Sequence, residues 1–170
     1  MKLGIISDTH DHLPNIQKAV KVFNNEKVGL VVHCGDWCSP FAPDFFEGLK
    51  CPLKGVFGNN DADIYAMLRK EKNYKVKIEF TKRVLELDLG GKKAVVYHGD
   101  DAAITEALAS SMKYDVVITG HTHEVVNERS GKVLHINPGT LSHYRRGVVN
   151  KKFTVAVYDS EKDSCKIISL

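Results

Sequence analysis

Short apolar runs alternate with polar segments along the first half of the chain. Three runs have the length and β-branched content of buried strands: residues 2–6, 29–34 and 52–57. A helix begins near Leu13, and its apolar side chains recur at three- and four-residue spacing: Ile16, Ala19, Val20 and Phe23. Residues 41–49 and 64–71 predict two further helices, whereas 73–82 is charged and ambiguous. This alternation favours a parallel sheet with helices packed on it.

The second half of the chain is dominated by hairpin patterns. Strands are predicted to pair as 84–89 with 94–97, 125–128 with 133–136, and 153–158 with 165–168. Asp100 or Asp101 caps a helix before a strand at 115–118, and that helix has a predicted buried face: Ile104, Ala107, Leu108 and Met112. We therefore expect one α/β domain over residues 1–170, built from two packed sheets flanked by helices.

Composition adds few constraints. A formal net charge of +3 with 26% charged residues is too mild to indicate a nucleic-acid or membrane partner. No apolar run approaches the roughly 18 residues of a membrane span. Four cysteines without a Cys-x-x-Cys pair, and no resemblance to a signal peptide, predict a reducing, cytoplasmic location. The edges of the terminal hairpin leave homo-oligomerisation open.

Polar side chains follow six of the apolar runs. These strand ends carry imidazole, carboxylate or amide groups: Asp8 and His10, Asp36, Asn59, His98, His121 and His123, and Asn137. Ligands bind beyond the carboxyl ends of strands in α/β sheets, so we expect these groups to converge. Asp8 and His10 are spaced two residues apart, as are His121 and His123. In an extended segment, residues with this spacing point to the same face.

Seven of these side chains form a candidate metal-binding set: Asp8, His10, Asp36, Asn59, His98, His121 and His123. Nitrogen and oxygen donors without a thiolate suit two divalent transition-metal ions, with Mn the first candidate and Ni, Fe, Co or Zn as alternatives. Asp36, alone at its strand end, is the natural bridge between the ions. Two ions roughly 3.5–4 Å apart activate a bridging hydroxide and bind phosphoryl oxygens, which predicts hydrolysis of a small phosphoester substrate.

The same residues carry a resemblance to a known family. Five ordered blocks are similar to the calcineurin-like metallophosphoesterase superfamily: Asp8-Thr9-His10, Gly35-Asp36, Gly58-Asn59-Asn60-Asp61, His98-Gly99 and Gly120-His121-Thr122-His123. The short chain, the opening Ser7-Asp8-Thr9-His10-Asp11-His12 and the late Asn137-Pro138-Gly139-Thr140 resemble the small YfcE-type phosphodiesterases. The resemblance implies a metallophosphoesterase sandwich of two mixed β-sheets flanked by α-helices. It further implies one ion on Asp8, His10, Asp36 and His123, and a second on Asp36, Asn59, His98 and His121.

Two positions depart from the wider family. Many members have a histidine after the ligand asparagine that protonates the leaving group, and here Asn60 occupies that position. An amide donates hydrogen bonds but has no proton to give near neutral pH, so we assign Asn60 a contact with the leaving group or the phosphate. Some members also have a second histidine after the His-Gly pair, where this chain has Asp100. Arg145 and Arg146 are candidates for binding a substrate phosphate.

These observations favour a metal-dependent phosphodiesterase acting on small phosphodiesters. A phosphomonoesterase needs the same metals and stays open as an alternative. A non-catalytic scaffold like the retromer subunit Vps29, which resembles this fold, is a further alternative, although Asp36 and Asn59 fit the enzymatic pattern. His33 and His135 lie within apolar strands and are expected to be structural.

Overall fold

The computed structural model describes residues 1–145 and 147–170, except for the side chain of residue 145. Its strands, in chain order, are β1 (Lys2–Ile6), β2 (Leu30–His33), β3 (Leu53–Gly55), β4 (Ile78–Phe80), β5 (Val84–Asp88), β6 (Lys93–Tyr97), β7 (Val116–Ile118), β8 (Val125–Ser130), β9 (Val133–Pro138), β10 (Tyr144–Arg145), β11 (Val148–Val149), β12 (Thr154–Asp159) and β13 (Ser164–Ser169). The helices are α1 (Leu13–Glu26), α2 (Ile64–Lys70) and α3 (Ala102–Ser110), with short 3-10 turns at Ala42–Phe46 and Glu71–Asn73.

Both large sheets contain parallel and antiparallel pairs. The first has the order β13-β12-β1-β2-β3-β4, in which β1 to β4 run parallel and β12 pairs antiparallel with β1. The second has the order β5-β6-β7-β9-β8, with β6, β7 and β9 parallel. The predicted sandwich of two mixed sheets flanked by helices is confirmed, as are the three predicted hairpins.

Apolar side chains form a layer between the sheets and another layer beneath the helices. Leu3, Ile5 and Val32 of the first sheet pack with Val96 and Ile118 of the second. On the other face of the first sheet, the predicted stripe of α1 is buried: Ile16, Ala19, Val20 and Phe23. Helix α1 begins at Leu13 because the His12 ring accepts a hydrogen bond from the amide of Asn15 at 3.2 Å.

The parallel strands direct their carboxyl ends toward a common edge. The loops after β1 and β2 are joined by a hydrogen bond from the Asp8 amide to the Gly35 carbonyl at 3.1 Å. The loops after β6 and β7 are joined similarly, from the Gly120 amide to the His98 carbonyl at 2.8 Å. A bond of 2.9 Å from the His121 amide to Asp8 Oδ2 connects the two sheets. The strand ends of both sheets therefore meet, as the sequence predicted.

The predicted buried face of α3 is wrong. No residue of this helix, all of which lies in the described part of the chain, is buried. Ile104 is 41% exposed, and Met112, beyond the helix end, is 61% exposed. Leu108 alone of the predicted face packs partly against a small apolar cluster on the second sheet, among the residues described. That cluster is too small to cover a helix face.

Three further segments differ from their sequence patterns. The predicted helix at 41–49 is only a 3-10 turn, where Pro43 lies in the first turn and Gly48 follows its end. The ambiguous segment 73–82 supplies β4, a parallel strand at the sheet edge. The ribbon of β10 and β11 was not predicted. Within the residues that the structure describes, no helix has the length and apolar character needed to span a membrane.

Candidate metal centre

The loops after β1 and β7 bring Asp8, His10 and His123 together. His123 Nε2 lies 3.2 Å from Asp8 Oδ1, and His10 Nε2 lies 3.9 Å from the same oxygen. The rings of His10 and His123 are 5.2 Å apart, edge to face. One ligand atom from each of the three side chains falls within 4.8 Å of the others, close enough to share one ion.

A second group surrounds Asn59 at the end of β3. Asn59 Oδ1 lies 3.0 Å from His98 Nε2 and 2.9 Å from His121 Nδ1. These separations are those of hydrogen bonds. Atoms bonded at about 2.1 Å and at right angles to one ion also lie roughly 3 Å apart, so the three side chains are close enough to bind one ion. His98 Nδ1 donates to the Cys34 carbonyl at 2.8 Å, which turns Nε2 toward the group as a donor to a metal.

Asp36 lies between the two groups. Its Oδ2 is 3.5 Å from His10 Nε2, on the side of the first group, and its Oδ1 is 3.4 Å from His98 Nε2, on the side of the second. A carboxylate with one oxygen directed to each group has the geometry of a bridging ligand. The seven predicted side chains therefore come together at one site, where ligand atoms of Asp8, Asp36 and His98 also lie within 4.8 Å of one another. The division of the ligands between two ions stays a prediction.

Unpartnered polar atoms test whether these residues fit a cation. Within the described residues, Asp8 Oδ1 and His10 Nε2 are buried and have no hydrogen-bond partner. Leaving such atoms unsatisfied costs about 1–3 kcal/mol each, which a bound cation offsets. Both atoms point into the first group, and all the donors are nitrogen or oxygen. The residues present fit divalent transition-metal ions.

The backbone geometry at these positions corrects one premise of the sequence analysis. The residues two apart were expected to converge because the chain is extended there. Five of the candidates instead have left-handed backbones, with φ of 51° at Asp8, 43° at His10, 59° at Asp36, 64° at His121 and 59° at His123. This region is unfavourable for residues with a side chain, and such strain clusters at functional sites. Tight left-handed turns, rather than strand alternation, direct the side chains inward.

Two glycines allow the loops to approach this closely. A Cβ on Gly120 would collide with Ser7 Oγ and lie 2.7 Å from Asp8 Oδ2. A Cβ on Gly58 would collide with Asp36 Oδ1 and lie 2.7 Å from His98 Nε2. Any larger residue at either position would displace a candidate ligand.

Several supporting residues lie outside the predicted set. Asp61 accepts backbone hydrogen bonds from Gly58 (2.7 Å), Asp36 (3.0 Å) and Cys38 (2.8 Å), so it holds the loops after β2 and β3 together. Asp61 therefore supports the loop that carries Asn59, whereas Asp63 caps α2. Ser7 Oγ donates to Asp8 Oδ2 at 2.5 Å. The pattern of residue types alone did not indicate this contact.

Asn137 and Thr140 fasten the loops from the late Asn-Pro-Gly segment. Asn137 Nδ2 donates to the Gly120 carbonyl at 2.7 Å, and Thr140 Oγ1 donates to the Asp8 carbonyl at 2.9 Å. Both side chains are buried. Asn137 was among the polar strand ends of the sequence, and the structure places it in support of the loop that carries His121 and His123.

His98 and Asp36 shift each other's pKa. Burial opposes protonation of His98, but its hydrogen bond to Asp36 and the charges of Asp8 and Asp36 raise its pKa to about 9. Burial also disfavours the charged form of Asp36, yet His98 and the hydrogen bonds from Asn60 hold the pKa of that carboxyl well below its usual range. The buried carboxylates thus create a negative site that attracts cations.

Asn60 and Cys38 contact candidate ligands. Asn60 donates two hydrogen bonds to Asp36. Its backbone nitrogen donates to Oδ1 at 2.9 Å, and its side-chain Nδ2 donates to Oδ2 at 2.7 Å. A contact of Asn60 with a substrate stays a prediction. Cys38 Sγ lies 3.2 Å from His10 Nδ1. Burial and then the charge of Asp36 raise the pKa of Cys38 to about 12, so the thiol is protonated at neutral pH.

The two arginines predicted to bind phosphate and the two histidines predicted to be structural remain to be placed. Arg146 and the side chain of Arg145 lie outside the described residues, so their predicted contact with a phosphate stays a prediction. His33 is fully buried, stacks on Trp37 at 3.5 Å and contacts Thr9 Oγ1 at 3.0 Å, which confirms a structural role. His135 Nε2 lies 2.9 Å from Thr119 Oγ1, away from the seven candidate ligands.

Comparison with known proteins identifies the family. Residues 1–163 match the calcineurin-like phosphoesterase superfamily domain. The chain belongs to this superfamily. Within it, the chain is 39% identical to phosphodiesterase MJ0936 of Methanocaldococcus jannaschii over 100% of this chain and 99% of the relative. It is 26% identical to phosphodiesterase YfcE of Escherichia coli, over 84% of this chain and 80% of the relative. The predicted family is therefore confirmed.

Solved structures of the superfamily fold agree. An archaeal phosphodiesterase that is 39% identical superimposes with a TM-score of 0.90 over the full length of both chains. Vps29 of Entamoeba histolytica, in a complex with Zn²⁺, superimposes with a TM-score of 0.70 at 18% identity, over 99% of both chains. The second similarity concerns the fold alone. Calcineurin-like metallophosphoesterases use divalent metal ions, which agrees with the donor set found here.

Proposed function

We propose that this protein is a metal-dependent phosphodiesterase that hydrolyses small phosphodiesters at a site for two divalent ions, with Mn as the first candidate. The position of Asp36 carries the proposal, because its two carboxylate oxygens face two separate groups of nitrogen and oxygen donors. The full-length similarity to proteins named phosphodiesterases supports the reaction class.

The proposed division of ligands follows the two groups. Asp8, His10 and His123 would hold one ion, Asn59, His98 and His121 would hold the other, and Asp36 would contact both. Divalent ions at such a site lower the pKa of bound water and neutralise charge on phosphoryl oxygens. Hydrolysis adds water across one P–O ester bond and yields a phosphomonoester and an alcohol.

Neighbouring groups of the protein hold two of the candidate ligands in place. Asn60 fixes Asp36 through two hydrogen bonds, and the Cys34 carbonyl fixes the ring of His98. Asn60 has no proton to give the departing alcohol, so leaving groups that depart without protonation should react fastest. This selectivity favours diesters of strongly acidic alcohols such as 4-nitrophenol.

A metal reconstitution assay tests the proposal. Protein stripped with a chelator is expected to be inactive and to regain hydrolysis of bis(p-nitrophenyl) phosphate with Mn²⁺, with Ni²⁺, Fe²⁺, Co²⁺ and Zn²⁺ compared in parallel. Asp36→Asn keeps the size of the side chain but should lower activity at least about 100-fold. Asp88→Asn, at the last residue of β5, serves as the control and should match the unaltered protein.

Two outcomes would redirect the assignment. Faster hydrolysis of p-nitrophenyl phosphate than of the diester would indicate the phosphomonoesterase alternative. Metal-loaded protein that hydrolyses neither compound would favour a scaffold like Vps29. Because a Vps29 structure contains Zn²⁺, metal content alone does not separate a scaffold from an enzyme, and the hydrolysis assay decides.

A further inference from the structure

A cleft of about 430 Å³ begins at Asn59, beside the candidate metal centre. Its walls come from α2, from the loop that follows β4, and from the segments that follow β3 and β6. Asn59 Oδ1 is within 3.0 Å of His98 Nε2 and 2.9 Å of His121 Nδ1. A diester at the metal centre can therefore extend one of its ester arms directly into this cleft.

One wall of the cleft is apolar. Phe57 lines it together with Ile64 and Leu68, which lie four residues apart on the same face of α2. Leu68 is 38% exposed although it is a large apolar residue. A flat apolar group placed here would remove this surface from water, which favours binding.

The other wall is cationic. Lys82 and Arg83 line it with Asp100, so two positive groups face one carboxylate and the cleft has a net charge of +1. Arg83 Nη2 already pairs with Asp100 Oδ2 at 2.8 Å. Of the carboxylates that the structure describes, none lies within 4.0 Å of the Lys82 ammonium group, which is exposed. Lys82 is thus available to pair with an anionic ligand group.

We propose that this cleft binds one ester arm of the substrate and selects phosphodiesters whose arm carries a flat apolar group with a second negative charge. The apolar group lies against Ile64 and Leu68, and the negative charge pairs with Lys82. This inference rests on the proposed function, because the second ester group must be bound at the metal centre at the same time.

Three diesters with the same leaving group test the two walls separately. 4-Nitrophenyl methyl phosphate has no ring on its other arm, 4-nitrophenyl phenyl phosphate has a ring, and 4-nitrophenyl 4-carboxyphenyl phosphate has a ring and a carboxylate. For Mn-loaded protein we expect KM to fall in that order. KM for the carboxyphenyl diester should be about two- to fivefold lower than KM for the phenyl diester, which is the range of an exposed ion pair. This difference should shrink in high salt.

Matched variants show which residue produces each difference in KM. Lys82→Gln should abolish the advantage of the carboxylate, and Lys82→Arg should retain it. Leu68→Ala should reduce the advantage of phenyl over methyl. Lys132→Gln removes an exposed cation that does not line the cleft, and it should keep both advantages. Equal KM values for the phenyl and carboxyphenyl diesters, or a preference that survives in Lys82→Gln, would overturn the proposal.

Calorimetric titration separates this inference from the proposed function. Diphenyl phosphate and 4-carboxyphenyl phenyl phosphate have poor leaving groups, so their binding to metal-loaded protein is measured without turnover. Tighter binding of the charged ligand, lost in Lys82→Gln, supports the cleft even if no diester is hydrolysed. Equal affinities refute the cleft, whereas hydrolysis of the nitrophenyl diesters alone leaves the proposed function standing.

Discussion

Asp36 combines three properties that a bridging ligand requires. It is 1% exposed, it is held by two hydrogen bonds from Asn60, and its oxygens point to different histidines. Its neighbours fix the carboxylate before any ion binds, which reduces the ordering cost of binding. The proposed division of ligands between two ions has a direct consequence for single substitutions.

Removing either histidine of the Gly120-His121-Thr122-His123 segment should affect a different ion. His121→Ala is expected to weaken the ion shared with Asn59, and His123→Ala the ion shared with Asp8, each by about 10- to 100-fold in affinity. Asp36→Asn should weaken both. Metal titration of chelator-treated protein, followed by elemental analysis, measures the affinity and the stoichiometry.

The variants provide their own comparison. His135→Ala removes a histidine that lies outside the candidate ligands and should bind as many ions as the unaltered protein. If His121→Ala and His123→Ala both lose the same ion, or if Asp36→Asn loses only one, the proposed bridge is incorrect.

At the scale of the elements, the loops matter more than the strands. Five candidate ligands have left-handed backbones, and the loops around them approach so closely at Gly58 and Gly120 that only glycine fits there. Asp61 then joins the loops after β2 and β3 through backbone hydrogen bonds. The strands bring these loops to one edge, and the loops set the positions of the donor atoms.

Adding a methyl group at Gly58 should therefore damage the site. Gly58→Ala places a Cβ against Asp36 and His98, and overpacking of this kind costs about 1–3 kcal/mol. We expect reduced metal affinity and a lower free energy of unfolding in urea. Gly29→Ala is the matched control, because its Cβ would lie 3.6 Å from the nearest atom and its backbone is not left-handed.

The two effects can be separated experimentally. Circular dichroism establishes that Gly58→Ala still folds, and calorimetry then measures metal binding by the folded protein. Metal affinity equal to that of Gly29→Ala would contradict the claim that close approach at residue 58 positions the ligands.

At the scale of the whole molecule, buried histidines link stability to pH. His33 is completely buried against Trp37, and burial lowers its pKa well below the ordinary value. Below about pH 6.5 the unfolded chain takes up a proton on His33 that the folded chain does not. The unfolded state then binds more protons, so stability is fully present above that pH and falls as the pH falls.

The contribution of His33 is measurable in chelator-treated protein. The free energy of unfolding should fall between pH 7 and pH 5, with His33 contributing at most about 1.4 kcal/mol per pH unit. His33→Gln should be less stable at pH 7 but should show a shallower decline. An identical slope in the two proteins would show that His33 does not contribute. His143→Gln changes an exposed histidine and serves as the control.

The sequence by itself determined much of this protein. Strand patterns such as β1 and the stripe of α1 follow from local periodicity, and the donor residues are recognisable because polar groups directly follow apolar runs. The family resemblance added the mixed sandwich, which the structure confirms, and a division of ligands between two ions, which stays a prediction. These features depend on residue type and spacing, both of which can be read from the amino-acid sequence.

Tertiary structure decided the rest. Helix α3 has an apolar pattern, yet Ile104 is exposed because the sheet beneath offers only a small apolar cluster. Local spacing suggested that extended chain brings His121 and His123 together, whereas contacts between loops impose left-handed turns. The cleft at Lys82 joins segments that are distant in sequence. Such features arise from long-range packing, which no local pattern encodes.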